Sequence, residues 1–409
     1  MINNPILNLK GGFPNGMEWT KSNITTGGFN TIHHANGIWV AGGDSPTMYE
    51  WSGGLYYSEN GKTWTQSNIT EDNVYHLHYE NRIWVAFCER SFYYSEDGKT
   101  WTDCDTTDSN YNVSSGCYAD GIWAGACEND NGLCYSKDGK TWTKSNITSG
   151  GFSTIHHADG VWVAISTYNS YDSDDCLYYS TDGMNWTKSN ITGHTVYKLL
   201  NANGIWVFGS RENKGLYYST NGKNWTQSNI ISGDFNRISY ADGIWVAGGK
   251  SKGLYYSTDG KNWTQSNIIS EDFYNLYNAN GIWVAGSSNN KGLYYSTDGK
   301  TWTQSNITSG YFKELYNANG IWVVGSYNTN KNVQGTGLCY SKDGKTWTKS
   351  NITSGSFGFI YNADGIWVAG NFNGANKSKS YGLYYSVTWE ENGGSSGGGS
   401  SGGSPTISL

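Results

Sequence analysis

Two tryptophan-bearing phrases recur along this chain, and their spacing constrains the fold more than any other feature of the sequence. One is "GLYYSTDGKNWTQSNI" with its variants, and the other is "GIWVAG" with its variants. They contain 19 of the 20 Trp residues, and each recurs at intervals of 37 to 45 residues. Repeats of this length are typical of propeller blades and of some helical arrays. The second phrase and its variants divide the chain into nine units.

The short words inside each unit indicate strands. "IWVAG", "LYYS" and "WTQSNI" are rich in aromatic and β-branched residues and are bounded by Gly, Asn and Asp, as strands between tight turns are. No long segment shows the apolar spacing of an amphipathic helix. We therefore expect four antiparallel strands in each unit. In the sixth unit we place them near 234–241 (A), 243–249 (B), 253–257 (C) and 262–267 (D).

A four-stranded sheet of this size cannot cover its own faces. Stacking the sheets in a circle buries them, with a Trp of each blade packed against the next blade. Burial of one large aromatic side chain is worth about 2–3 kcal/mol, so packing alone accounts for the repeated Trp positions. The sequence predicts an all-β protein, a single closed β-propeller of about nine four-stranded antiparallel blades.

The two ends of the chain complement each other. The last unit reads "GLYYS" over 382–386 and lacks the Asp turn, while "NGMEW" over 15–19 supplies the missing half. We expect the strand after Trp19 to complete the last blade, because such closure removes free sheet edges. The expected organisation is a lead-in over 1–14, a propeller over 15–389, and a flexible Gly/Ser-rich tail over 390–409 that could tether the ring to a larger assembly.

The turn between strands C and D resembles a known family. The segment 257–263, Ser-Thr-Asp-Gly-Lys-Asn-Trp, is similar to a short form of the Asp-box of sialidase-like (BNR-repeat) propellers. The resemblance spans most of the chain. It implies a folding device in which the Asp or Asn oxygen accepts backbone N–H groups and the Trp packs into the blade. The residues assigned to this structural role are Asn15, Asn60, Asp97, Asp138, Asp182, Asn221, Asp259, Asp298, Asp343 and Ser386.

Composition excludes several classes of partner. A net charge of −7 argues against a nucleic-acid surface. No apolar run is long enough for a membrane span, and the N-terminus has no apolar region of a secretory signal. We expect cytoplasmic synthesis, with a virion or another extracellular destination reached by a non-Sec route. The 7 cysteines form no CxxC pair and are expected to be buried, reduced thiols.

Nearly all variation in unit length falls between the "GIW" Trp and strand C, which places the insertions on one face of a ring. Units 8, 9 and 1 carry long segments there and are neighbours in a closed ring. Aromatic side chains among Asn, Ser and Gly suit stacking on sugar rings, although they could equally pack back onto the ring. The candidate ligand-binding residues are Tyr49, Trp51, Tyr327, Phe372 and Tyr381.

Two other clusters carry weaker signals. Asp172, Asp174 and Asp175 could bind calcium, but their spacing matches no EF-hand, and a solvated acidic loop is the simpler interpretation. Histidine recurs at one strand-A position in units 1, 2 and 4, where other units carry other residues. We predict no metal and no cofactor. The "NIT" words are interpreted as copies of one repeat phrase and not as glycosylation sites.

The resemblance does not extend to sialidase chemistry. Those enzymes use an arginine triad, and the 4 Arg residues of this chain show no convergent set of three. We therefore expect a non-catalytic recognition ring, an adhesin that binds glycans or a cell surface through its loop face, such as a phage tail or virion component. The alternatives are an Asp-box glycoside hydrolase using paired carboxylates and a purely structural assembly protein.

Overall fold

The chain forms nine antiparallel sheets, each one a propeller blade. The part of the chain that the computed structural model describes contains 37 strands and no helix. The structure describes residues 17–25, 27–44, 53–106, 113–128, 130–167, 176–327, 336–371 and 382–387.

Each blade has the hydrogen-bonding order A-B-C-D. The A strands are β2 Gly28–Ala35, β6 Val74–Glu80, β11 Val113–Ala119, β15 Gly151–Ala158, β19 Val196–Ala202, β23 Phe235–Ala241, β27 Phe273–Ala279, β31 Phe312–Ala318 and β35 Phe357–Ala363. The B strands are β3 Ile38–Asp44, β7 Ile83–Cys88, β12 Ile122–Cys127, β16 Val161–Thr167, β20 Ile205–Ser210, β24 Ile244–Gly249, β28 Ile282–Ser287, β32 Ile321–Ser326 and β36 Ile366–Asn371.

The outer half of each blade is shorter. The C strands are β4 Gly54–Ser58, β8 Phe92–Ser95, β13 Leu133–Ser136, β17 Cys176–Ser180, β21 Leu216–Ser219, β25 Gly253–Ser257, β29 Leu293–Ser296, β33 Leu338–Ser341 and β37 Leu383–Val387. The D strands are β5 Thr65–Gln66, β9 Thr102–Asp103, β14 Thr141–Lys144, β18 Thr187–Thr192, β22 Thr226–Gln227, β26 Thr264–Gln265, β30 Thr303–Gln304, β34 Thr348–Lys349 and β1 Thr20–Lys21. The strand β10 Asp105–Thr106 is additional.

The blades close into one ring. Every A strand contacts the A strands of the two neighbouring blades, and the last, β35, contacts the first, β2. Aromatic side chains at one A-strand position also contact each other from blade to blade around the central channel. The ring centroids of Tyr361 and His33 are 6.5 Å apart, and those of His33 and His78 are 6.4 Å apart. The predicted nine-bladed propeller is confirmed.

The N-terminal strand β1 completes the last blade, as predicted. Thr20 pairs with Tyr385 and Lys21 with Tyr384 in antiparallel register. The Ser22 N–H continues this pairing by donating to the Leu383 carbonyl at 2.8 Å. The split turn predicted between Asn15 and Ser386 has its first residue outside the described residues, as do the lead-in over 1–14 and the tail over 390–409.

The hydrophobic core lies between the blades and depends on the "GIW" Trp residues. Val246 and Leu254 of blade 6 pack with Phe273 and Trp283 of blade 7 in one buried cluster, and eight further clusters of this kind occur among the described residues. The close packing of this Trp against the C–D turn also explains the glycine that recurs in the turn. A Cβ on Gly260, which has φ +70°, would lie 3.2 Å from the Trp245 Nε1, so only glycine fits there.

The Ser-x-Asp-Gly turn is held by its own side chains. The Asp259 Oδ1 accepts hydrogen bonds from the N–H groups of Lys261 and Asn262 at 2.8 Å each and from the Ser257 hydroxyl at 2.9 Å. The Ser257 Oγ in turn accepts the Gly260 N–H at 2.9 Å. An Asn can provide the same carbonyl oxygen, and Asn60 and Asn221 do so in their copies. The turn fixes strand D against strand C.

An asparagine latch joins successive blades. The Asn267 Oδ1 accepts the Trp302 N–H, and the Asn267 Nδ2 donates to the Trp302 carbonyl, both at 2.8 Å. The same pair of bonds links Asn23 with Trp64, Asn68 with Trp101, Asn146 with Trp186, Asn190 with Trp225, Asn229 with Trp263, Asn306 with Trp347 and Asn351 with Trp19.

The latch residues lie in the repeated words and near the end of strand D. The six "NIT" words begin with latch Asn residues, so their side-chain amides serve structure. Strand D of blade 6 spans Thr264–Gln265 and is shorter than the predicted 262–267. The backbone still bonds to strand C beyond Gln265. The Ser266 N–H donates to the Leu254 carbonyl at 2.9 Å, and the Leu254 N–H donates to the Ile268 carbonyl at 2.8 Å. Between these two residues, the side chain of Asn267 bonds to the next blade.

Candidate functional site

The ring presents two different faces. The B–C loops and the D–A connections meet on one of them, which we call the loop face. There the Lys250 N–H donates to the Asp234 carbonyl at 2.7 Å, and the Arg211 N–H donates to the Thr195 carbonyl at 2.9 Å. The A–B turns and the Asp-containing C–D turns lie on the opposite face, where strands A and C end. Length variation in the repeat is therefore concentrated on the loop face.

Of the predicted ligand-binding residues, the structure describes Tyr327. Its ring meets the ring of Tyr274 edge-on at 5.6 Å, and the Lys313 Nζ lies 4.8 Å from its centroid. Its N–H donates to the Tyr311 carbonyl at 2.9 Å. Tyr327 is thereby joined to the start of the A strands of blades 7 and 8. The other four predicted residues, Tyr49, Trp51, Phe372 and Tyr381, lie outside the described residues, as do Asp172, Asp174 and Asp175.

The A strands of blades 5 to 8 begin at the loop-face end of the central channel and carry a cluster of aromatic and charged residues. We call this cluster the channel mouth; it consists of Tyr197, Lys198, Arg237, Tyr274, Lys313 and Glu314. Tyr197 is 42% exposed, and the guanidinium of Arg211 lies 5.5 Å from its ring. An aromatic ring that is exposed and next to cations offers both stacking and hydrogen-bonding groups to a ligand.

Three charged residues of the channel mouth occupy the same register of their strands. Lys198, Arg237 and Glu314 each pair with the equivalent glycine of the adjacent B strand. Burial, together with the positive charge of Arg237, lowers the pKa of Lys198 to about 8. Burial raises the pKa of the Glu314 carboxyl to about 7, against the opposing effect of Lys313 and Arg237. The channel wall thus holds charges that desolvation disfavours.

Arg237 also ties blade 6 to blade 7. Its Nε donates to the Tyr274 carbonyl, and its Nη1 donates to the Asn236 carbonyl at 2.6 Å. One position further round the ring, Asn275 makes the equivalent tie, with its Nδ2 donating to the Lys313 carbonyl at 2.7 Å. The guanidinium is therefore held in a fixed orientation by two backbone carbonyls.

The histidines of strand A pack against tryptophans. The His33 ring meets Trp84 edge-on at 5.6 Å, and the His78 ring meets Trp123 at 5.5 Å. Tyrosine takes the same place on the Trp of the next blade elsewhere, as Tyr277 does at 5.8 Å.

Burial dominates the protonation of these histidines. It lowers the pKa of His33 to about 4 and that of His78 and His156 to about 3, so all three rings are neutral at pH 7. Within the described ranges, no group of three or more His, Cys, Asp or Glu residues is placed to hold a metal ion.

The arginines belong to different elements of the blades. Arg82 lies in an A–B turn on the opposite face, with φ +64°. Arg211 lies in a B–C loop, and Arg237 lies in the wall of the channel mouth. All seven cysteines are free thiols, and six of them are buried. None of the described segments forms a helix with the length and apolarity that crossing a membrane requires.

Sequence reasoning missed most of the channel mouth. Lys198, Arg237 and Glu314 are single charges in otherwise ordinary strands, and no local motif marks them. The signal was nonetheless present. Each of the three stands eight residues before its "GIW" Trp, so aligning the A strands on that Trp would have shown the charges in one register.

Fold and site together define a nine-bladed β-propeller with a cluster of aromatic and charged residues at one end of its channel. The sequence matches no family model and no curated protein. Among solved structures, the computationally designed protein Ika8 is similar at a TM-score of 0.55 and 10% identity, over 91% of this chain and 100% of that chain. At this identity the likeness shows the fold alone.

A second protein, YCF48, is similar over part of the chain. Its complex with D1 peptide aligns at a TM-score of 0.44 and 15% identity, over 66% of this chain and 92% of that chain. YCF48 from Cyanidioschyzon merolae aligns at a TM-score of 0.42 and 13% identity, over 66% of this chain and 94% of that chain.

Proposed function

We propose that the protein is a non-catalytic recognition propeller that binds a glycan or a cell-surface ligand through its loop face. The observation that carries the proposal is the channel mouth, where an exposed Tyr197 and a Tyr274–Tyr327 pair stand beside cationic side chains. Rings of this kind stack on sugar faces, and the neighbouring donors can bond to hydroxyl groups. The role is that of an adhesin, such as a phage tail or virion component.

The rigid setting of the channel mouth supports binding. Its residues belong to strands and not to free loops, and each strand is paired in register with a B strand. Sites built on paired strands keep their geometry better than sites on loops. We further propose that Tyr49, Trp51, Phe372 and Tyr381, which the sequence predicts as ligand-binding residues and which lie outside the described residues, take part in binding.

We also infer that the chain is a member of the Asp-box (BNR-repeat) group of propellers. The support is the hydrogen bonding of the Ser-x-Asp-Gly turn, in which one Asp or Asn oxygen accepts two consecutive backbone N–H groups in all eight described copies. This inference concerns the origin of the fold. It assigns no activity to the chain.

A glycan array probed with the full-length protein tests the proposed function. We expect saturable binding that Tyr197→Ala, Tyr327→Ala and Trp51→Ala weaken. Val387→Ala is the matched control, since Val387 is an exposed apolar side chain at the end of strand C of blade 9, on the face opposite the loop face. Its variant should bind as the wild type does.

Three outcomes would overturn the proposal. Equal weakening by Val387→Ala would mean that the array reports general adhesion of apolar side chains. Turnover of a fluorogenic glycoside, lost on replacement of a loop-face carboxylate, would make the protein a glycoside hydrolase. Silence of the wild type in both assays would favour a purely structural assembly protein.

A further inference from the structure

Two buried thiols contact each other in blade 3. Cys127 is the last residue of strand B and Cys134 lies in strand C, and their Sγ atoms are 3.4 Å apart. In the antiparallel register Cys134 pairs with Gly125, two residues before Cys127. Residues two apart in a strand project from the same side of the sheet, so both thiols lie on one face of the blade. Both side chains are fully buried.

Comparison of the repeats shows that this contact is particular to blade 3. The position of Cys127 holds Ser in blades 4, 5, 7 and 8, and the position of Cys134 holds Tyr in every blade except 3 and 8. Cys88 takes the first position in blade 2, opposite no second cysteine, and Cys339 takes the second position in blade 8, where Ser326 stands at the first. Blade 3 is the one blade with Cys at both positions.

A glycine makes room for the pair. Gly125 lies opposite Cys134, and the equivalent residue is Ala, Val or Phe in the other blades. A Cβ on Gly125 would lie 2.6 Å from the Cys134 Sγ, which is too close for both atoms to keep their places. The Cys134 thiol therefore fills space that a larger residue would occupy, and there its sulfur meets that of Cys127.

We propose that Cys127 and Cys134 are a disulfide site, at which a peroxide joins strands B and C of blade 3 covalently. A disulfide has its Sγ atoms about 2.0 Å apart, so side-chain rotation must bring the touching sulfurs closer. One thiol reduces hydrogen peroxide and becomes a sulfenic acid, with release of water. The sulfur of the other thiol then displaces the hydroxyl group, which leaves with the thiol proton as a second water. Both sulfur atoms are oxidised and both peroxide oxygens are reduced.

The surroundings indicate a slow and lasting cross-link and not a fast sensor. Burial raises the pKa of the Cys134 thiol well above its usual value, which reduces the thiolate available for reaction. The Cys127 N–H donates to the Gly132 carbonyl at 3.1 Å where the B–C connection begins, and the ends of strands open more readily than their centres. Oxidant enters by that opening, and the closed hairpin then shields the bond from reductants.

Peptide mapping without reduction tests the site, after incubation of the full-length protein with hydrogen peroxide under native conditions. Digestion after Glu and Asp residues cuts between the two cysteines, at Glu128 and Asp130. We expect the two resulting peptides to be cross-linked, with the loss of two hydrogen atoms from their summed mass. Cys127→Ser should abolish the cross-link, and Ser already fills this position in other blades. Cys88→Ser, the equivalent change in blade 2, is the matched control and should leave it intact.

Gly125→Ala tests whether the site is built for the pair. The variant restores the Ala of most other blades and places a Cβ against the Cys134 sulfur. The yield of the cross-link should fall severalfold, while circular dichroism shows the same strand content as in the wild type. An unchanged yield would contradict the assignment, because the glycine would then have no part in placing the thiols.

Urea unfolding gives a second readout that does not depend on mapping. The oxidised wild type should unfold at a higher urea concentration than the reduced protein, since a cross-link restricts the unfolded chain, and Cys127→Ser should show no such shift. The absence of a Cys127–Cys134 cross-link in the oxidised wild type would overturn the proposal. So would a cross-link of either residue to Cys104, which belongs to the same core cluster, or a lower urea midpoint after oxidation. None of these results depends on glycan binding.

Discussion

The interface between blades 6 and 7 and the interface between blades 2 and 3 solve one structural problem in two ways. At the first, the side chain of Asn267 bonds to both backbone groups of Trp302. At the second, the equivalent position is Asp105, which cannot donate from its side chain. There strand β10 pairs in parallel with β14, with Thr106 opposite Trp142 and the Asp105 N–H donating to the Lys140 carbonyl at 3.0 Å.

The difference shows what the repeat phrase has to satisfy. The backbone of the box Trp needs a donor and an acceptor from the preceding blade, because buried peptide groups without partners destabilise the fold. A primary amide has the same donor and acceptor as a peptide group, so an Asn side chain can stand in for a neighbouring strand. Blade 2 uses a real strand instead. Its interface also replaces aliphatic contacts with the stacked pair Phe92–Trp142, at 4.3 Å and 13°.

The largest expected effect comes from removing the box Trp at either interface. Trp142→Ala and Trp302→Ala should each lower the free energy of unfolding by about 3–5 kcal/mol through lost burial and the cavity left behind. We expect the larger loss at Trp142, since stacking adds about 0.5–1.5 kcal/mol beyond area burial. Urea unfolding monitored by circular dichroism measures both, with the exposed Thr303→Ala as control. A smaller loss at Trp142 would contradict a stabilising role of the Phe92–Trp142 stack.

The latch itself gives the next effect. Asn267→Ala should cost about 1–3 kcal/mol, because two backbone groups of Trp302 lose their partners. Asp105→Ala should cost less than about 0.5 kcal/mol, since the contacts at that interface are made by its backbone. Denaturant unfolding of the two variants gives the difference directly. Similar losses of unfolding free energy in the two variants would contradict the view that only the backbone of Asp105 stabilises its interface.

A third contrast concerns pH. His78 of blade 2 packs on Trp123 of blade 3. At the equivalent position of blade 7, Tyr277 packs on Trp322 of blade 8. Burial, with smaller effects of His76 and His33, lowers the pKa of His78 from 6.5 to about 3. The unfolded chain therefore binds a proton that the native ring does not between these values. Stability should fall as pH falls from 6.5 towards 3.

His78→Tyr sharpens that contrast. The variant should lose part of the acid sensitivity and leave stability near pH 8 little changed, because tyrosine already fills this place in other blades. Thermal unfolding midpoints measured from pH 8 to pH 4 give the comparison. A variant with the same pH slope as the wild type would show that His78 is not among the groups responsible.

The smallest effect belongs to the C–D turn. Asp259→Asn should change the free energy of unfolding by less than about 0.5 kcal/mol, since Asn60 and Asn221 make the same bonds to backbone N–H groups in their copies. Asp259→Ala should cost about 1 kcal/mol or more, because two N–H groups lose their acceptor. Denaturant unfolding separates the two substitutions, and a large loss with Asn would mean that the negative charge is required.

The sequence determined the architecture well because the repeated words specify strand, turn and core at once. Trp245, Gly260 and Ser257 each have one interpretation in a blade, and the Trp recurs in nine copies and the turn in eight complete ones. The extent of strand D was less predictable. It ends at Gln265 in blade 6, whereas strand D of blade 4 runs to Thr192, past its own latch residue Asn190, and no local pattern predicts this difference.

The candidate site was harder to predict for a physical reason. The channel mouth is assembled from one or two residues on each of four blades, which are separated by about forty positions along the chain, so no contiguous motif marks it. Of the residues expected from the loops, Tyr327 lies against this cluster. Lys198 and Arg237 gain significance only once ring closure brings equivalent positions together.

The central claim is that the N-terminal strand closes the ring by pairing with the last blade. The double variant Thr20→Cys with Tyr385→Cys tests it most directly, since these residues are opposite each other in the β1–β37 register. Mild oxidation should give an intramolecular cross-link in peptide mass mapping, while Thr20→Cys with Tyr256→Cys, the equivalent position of blade 6, should give none. Equal cross-linking of the two pairs, or none in either, would contradict the closure.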